Sequence, residues 1–109
     1  MMQPILIFTQ CDTSEEAEEI ADAILNRTLA AAVQIIGPIS SRYRWQDKIH
    51  KKQEWLVMIK TNDSREGEIK RLIRELHSYE LPGILKLNIA GGERQYLQWI
   101  LDQSGAGIE

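Results

Sequence analysis

Cysteine is almost missing from this sequence: Cys11 stands alone among 109 residues. One thiol excludes an intramolecular disulfide framework and any C-x-x-C motif. It fits a reducing compartment, and the cytoplasm is the expected location. Neither sign of charge dominates, with 13 Lys and Arg against 16 Asp and Glu and a net charge of −3. A nucleic-acid backbone calls for a basic surface, so nucleic acid is not an expected partner. No apolar run approaches the ~18 residues that a membrane-spanning helix needs. The opening MMQPILIFTQ holds neither a basic segment nor a small-residue cleavage site, and no secretory signal is expected from it. With three prolines and seven glycines, the chain shows no linker and no low-complexity stretch. It also has no Walker loop and no G-x-G-x-x-G, and Gly91-Gly92 before Glu93 is too short to cradle phosphate. Ser40 and Ser41 lack a nucleophile elbow. No catalytic motif is found, and a non-enzymatic protein is expected.

What is present is ordinary globular material, 43% hydrophobic and 27% charged. At this length one domain, 1–109, can bury a core without staples; the core is expected over about 4–103, with a frayed tail at 104–109. Residues 4–9, PILIFT, read as a strand buried on both faces. Asp12-Thr13-Ser14 then offers a cap for a helix whose apolar face is Ala17, Ile20, Ala21, Ile24 and Leu25. Glu15 and Glu16 sit in its first turn, where the helix dipole favours negative charge. LAAAVQII begins a second strand, and Gly37-Pro38 predicts a bulge or bend because proline cannot donate to the ladder. ISSRYRW continues it, Gln46-Asp47 fits a tight turn, and KIHKKQEWLVMIKT returns. A second helix follows, capped by Asp63 or Ser64, with the stripe Ile69, Leu72, Ile73 and Leu76. The last strand is expected from Pro82 to about Ala90, and ERQYLQWILDQ closes as a helix.

The order β-α-β-β-α-β plus a C-terminal helix is the split β-α-β, or ferredoxin-like, pattern of an α+β fold with an antiparallel sheet. Its central hairpin, roughly Ala32 to Thr61, is too long for the helices to cover. Arms of about 12 residues reach about 40 Å, whereas a helix of about 14 residues covers about 21 Å. An uncovered two-stranded ribbon is marginal in water, and its open edges invite pairing. Self-association closed by symmetry is therefore expected. Tyr43, Trp45 and Trp55 lie on the hairpin, and large aromatics suit interface centres; the alternative is that they pack on their own core.

Several segments in register resemble the CutA divalent-cation tolerance proteins. They are LAAAVQII, the run Ser41-Arg42-Tyr43-Arg44-Trp45-Gln46-Asp47-Lys48-Ile49, Glu54 followed by LVMIKT, His77-Ser78-Tyr79-Glu80-Leu81-Pro82, and Tyr96-Leu97-Gln98-Trp99. Together they span about residues 5–101. The resemblance implies a ferredoxin-like subunit in a tight homotrimer, PII-like in architecture, with a part in tolerance of divalent metals and copper the metal most often named. The chain departs from the family pattern at several places. It has Ala32-Val33-Gln34 for Cys-Val-Asn, Asp47 for a turn glycine, Ser78 for proline, Gly83 for an acidic residue and Asp12 for proline.

The candidate metal ligands are Cys11 and His77, which are soft or borderline donors suited to copper. Cys11 lies at the end of the first strand and His77 at the end of the second helix. A divalent cation, copper first, is the candidate ligand, and no cofactor is required. His50, the other of the two histidines, is a third candidate donor with no partner at ligand spacing. The alternative reading makes Cys11 a small buried hydrophobe and His77 a capping group at a helix C-terminus. A second candidate site is a cleft of Tyr43, Trp45, Lys60, Tyr79 and Glu80, with His77 as its pH-sensitive neighbour. The resemblance gathers such residues between subunits, where they could hold a polar small ligand or a partner protein, as in a PII-like signalling or scaffold module, or simply knit the interface.

Overall fold

The computed structural model describes residues 2–106. The elements are β1 (Pro4–Cys11), α1 (Ser14–Asn26), β2 (Ala32–Trp45), β3 (Lys48–Asn62), a 3-10 turn (Asp63–Arg65), α2 (Glu66–Leu76), β4 (Ile84–Asn88) and α3 (Arg94–Ser104). One four-stranded sheet runs in the order β2-β3-β1-β4, antiparallel at every pairing. This is the ferredoxin-like arrangement. The last strand is shorter than the sequence suggests: its ladder on β1 covers Ile84–Asn88, with one further bond from the Ile89 N–H to the Pro4 carbonyl at 3.3 Å.

The core lies between the sheet and α1 and α2. Ile5, Ile7, Val57 and Ile59 meet Ala17, Ile20, Ile24, Ile69, Leu72 and Ile73. Leu25, expected on the same helical face, turns outward and is exposed. β1 is not buried on both faces. Its odd residues are buried and its even ones are only partly covered, because α1 and α2 lie on one side of the sheet. On the other side stand Leu6, Phe8, Leu56, Met58, Ile36, Leu85 and Leu87, placed together by the cross-strand register. In the lone chain Ile36, Leu85 and Leu87 remain exposed.

The hairpin is longer than the sequence reading gives it, with arms of 14 and 15 residues. Both turn residues adopt positive φ, Gln46 at 52° and Asp47 at 64°, as a two-residue type I′ turn demands. The register slips between Ile36 and Ile39 at a cis Gly37-Pro38 bond. The ribbon draws the chain out to 43 × 26 × 22 Å.

Two local expectations are corrected. The turn before α2 is capped by Asn62, whose Oδ1 accepts the Ser64 N–H at 2.9 Å; Asp63 instead accepts the Gln3 N–H at 2.9 Å. The tail is not frayed from 104. Ser104 is buried, and Asn62 donates to its hydroxyl and to the Gly105 carbonyl, each at 2.7 Å. Residues 107–109 lie outside the described residues.

Candidate functional site

Cys11 ends β1, Glu16 lies in the first turn of α1 and His77 caps the C-terminus of α2. The fold brings these three ends together, and one donor atom from each lies within 4.8 Å of the others. The His77 side chain is fully buried and that of Glu16 is 13% exposed. Both imidazole nitrogens are engaged. Nδ1 accepts the Tyr79 N–H at 3.1 Å, so the proton sits on Nε2 and is donated to the Gln10 carbonyl at 2.7 Å. Nδ1 also stands 3.7 Å from a Glu16 oxygen. The Cys11 thiol is pushed up to about 12, first by burial and then by the Glu16 carboxylate beside it.

The sequence alone marks Glu16 only as a dipole-favoured residue of the first turn. A signal for more is present in Thr13-x-x-Glu16, the capping-box spacing. Thr13 does accept the Glu16 N–H at 3.1 Å. The Glu16 carboxylate, however, crosses to the end of α2 and accepts the Ser78 N–H at 2.8 Å on Oε1. Its Oε2 is buried with no hydrogen-bond partner.

A cleft of about 470 Å³ opens next to this cluster. Four of the five cleft residues expected from sequence line it: Tyr43, Trp45, Tyr79 and Glu80. Lys60 does not. It donates to the Tyr96 hydroxyl at 2.8 Å, beneath α3. The residues that sequence reasoning missed are Lys52 and Glu54, both on β3. Glu54 is buried and accepts the Tyr79 hydroxyl at 2.7 Å. Lys52 stands 4.4 Å from the Tyr79 ring centroid and pairs with Asp12 at 3.0 Å. Burial, assisted by Glu54, raises the Tyr79 phenol above its ordinary range, although Lys52 opposes the shift. Tyr79 is thus held as a donor. Its ring lies 4.8 Å from that of His77, so one residue touches both groups.

Residues 5–103 match the family described as CutA1 divalent ion tolerance protein. The divalent-cation tolerance protein CutA of Thermus thermophilus is 36% identical over 104 residues, which is 95% of this chain and 100% of that protein. Human protein CutA is 38% identical over 93 residues, which covers 85% of this chain and 52% of the human one. Among solved structures, CutA1 from the psychrotrophic bacterium Shewanella superposes with a TM-score of 0.91 at 36% identity, over 95% of this chain and 97% of that one. The Thermus thermophilus structure gives 0.90 at 34%, over 94% and 99%.

Proposed function

This chain belongs to the CutA1 divalent ion tolerance family, and on that premise we propose that it serves cation tolerance by binding the ion itself, as a non-enzymatic homotrimer. Cys11 and His77 are the proposed ligands, and copper is the first ion to try. The observation that carries this reading is the convergence of a thiol, a carboxylate and an imidazole from three separate elements. The donor chemistry fits. Zinc and copper sites draw on thiolate, imidazole and carboxylate, and the unpartnered Glu16 oxygen is a buried acceptor in want of a partner. An ion must displace the thiol proton and take the lone pair that His77 Nδ1 lends to Tyr79. Such exchange is the ordinary coupling of metal binding to deprotonation.

Calorimetric titration with copper and zinc ions under reducing conditions tests the reading. One ion per chain at micromolar affinity or tighter is expected, with loss of binding in Cys11→Ala and in His77→Ala. No heat of binding at micromolar concentrations overturns it. The non-enzymatic part is supported by Cys11, because a buried and protonated thiol is a poor nucleophile.

The neighbouring cleft favours a second reading, a small polar ligand held among Tyr79, Glu54 and Trp45. A thermal-shift screen of nucleotides and anionic metabolites tests it, since a ligand that binds the native state raises its melting temperature.

A further inference from the structure

We infer that Glu16 is a third protein ligand, and that the Cys11–Glu16–His77 cluster takes a zinc-class divalent ion with one coordination position left open. The inference rests on the metal-binding reading above and adds to it a residue and a metal class.

Three observations point to Glu16. Its Oε2 is buried among the other two donors with no N–H or O–H partner, the Cys11 thiol being a weak donor beside the carboxylate. A buried carboxylate oxygen left unpaired is costly, and an ion would remove that cost. Its Oε1 is fixed by the Ser78 N–H at 2.8 Å, which aims the second oxygen inward. Glu16 is also the partly exposed member of the cluster, at 13% against none for the His77 side chain, so it forms the rim by which an ion enters.

His77 supplies independent support. Histidines that bind metal through one nitrogen typically donate the other N–H to a carbonyl or carboxylate, which sets tautomer and ring orientation. His77 Nε2–H is already committed to the Gln10 carbonyl at 2.7 Å, and Nδ1, 3.7 Å from a Glu16 oxygen, becomes a ligand once it gives up the Tyr79 N–H at 3.1 Å. Donor atoms around a tetrahedral zinc ion stand about 3.5 Å apart, given bonds of about 2.0–2.3 Å. The present spread of up to 4.8 Å therefore needs a contraction of about 1 Å.

The donor set selects the metal class. One thiolate, one imidazole and one carboxylate is a mixed set of the kind that zinc accepts, and three protein ligands leave a fourth position for water. Copper(I) prefers thiolates and thioethers and gains little from a carboxylate.

The test uses the full chain, reduced and metal-free, with Co²⁺ as a coloured substitute for Zn²⁺, and compares wild type with Glu16→Gln. Glutamine keeps an oxygen for the Ser78 N–H but no anionic donor. Circular dichroism and the melting temperature establish that the variant is folded. In wild type, Co²⁺ should give a thiolate charge-transfer band and the intense visible bands of a four-coordinate ion, both abolished by one equivalent of Zn²⁺. Glu16→Gln should weaken Co²⁺ and Zn²⁺ at least tenfold while leaving Cu⁺ affinity within twofold. Equal Co²⁺ affinity and spectra in both proteins would overturn the role of Glu16 and leave the metal-binding reading standing. Weak bands of a six-coordinate ion in wild type would overturn the metal class. No Co²⁺, Zn²⁺ or Cu⁺ binding by wild type would overturn both readings together.

Discussion

A β-carbon on Gly37 would stand 2.3 Å from Cδ1 of Trp55. That is closer than any real contact, so an added methyl must displace the indole ring. Trp55 is packed against the core, and overpacking of this kind costs about 1–3 kcal/mol. Gly37→Ala should therefore unfold at lower denaturant with an unchanged m-value, read at one fixed protein concentration. An unchanged midpoint would mean that the ring is free to move. The Gly37-Pro38 irregularity was legible from proline's missing donor; the need for glycine was not, because it depends on a residue of the opposite strand. Cys11 carries a second prediction. Its thiol, ordinarily at 9.0, rises to about 12 in the fold through burial and the nearby Glu16. Between those values the unfolded chain has released the proton and the folded chain still binds it. The contribution is complete below about pH 9 and is lost as pH climbs toward 12, so stability falls with rising pH across that window. Melting temperatures from about pH 8 to about pH 10.5 should drop more steeply for wild type than for Cys11→Ala. Parallel profiles would contradict the shift.

Helices and strands were legible as elements because their apolar residues recur at helical or alternating spacing. The order of elements, the tight turn at Gln46-Asp47 and the helix stripes, Leu25 excepted, follow from such local patterns. Their junctions depend on partners that no local pattern names. Asp63 and Ser64 are good caps by composition, yet Asn62 does the capping. Its amide joins the end of β3 to the end of α3 through Ser104 and Gly105, and it is fully buried. Those bonds also tie down Ser104 and Gly105, where composition suggested fraying. Thr13 caps α1 at an exposed site with a single bond to the Glu16 N–H. Thr13→Ala should cost about 0.5–2 kcal/mol. Asn62→Ala should cost more, because about 1–3 kcal/mol attaches to each buried polar group left without a partner. Denaturation of the two variants under matched conditions decides the order, and a smaller loss for Asn62→Ala would show that water replaces its amide. The candidate metal cluster behaves like these junctions. Donor type singles out Cys11 and His77, but only the packing of α1 against the ends of β1 and α2 reveals Glu16 between them. The family resemblance draws Lys60 to the cleft, and the strand register carries it to Tyr96 instead.

At the scale of the molecule, one face of the sheet carries apolar side chains that the chain itself leaves open. α1 and α2 cover one face only, and on the other Leu85 is 63% and Leu87 45% exposed. Contiguous apolar surface of this kind marks an interaction site. The hairpin adds to the case. Its outer half carries Arg42 directly opposite Lys51, and like charges facing each other across a ladder are destabilising. α1 exposes Glu15, Glu18, Glu19 and Asp22, so the surface of one copy is acidic where the arm is basic. Copies related by a closed symmetry would satisfy the open face and the arm at once, and the family resemblance sets the expected number at three. Sedimentation equilibrium at micromolar concentration should therefore report three times the 12.5 kDa of one chain. Leu87→Glu, which places a charge on the open face without touching the core under α1 and α2, should shift that mass toward the single chain while leaving helical content intact. A wild-type species of one chain's mass would refute self-association, and a trimer indifferent to Leu87→Glu would move the interface to the hairpin arms.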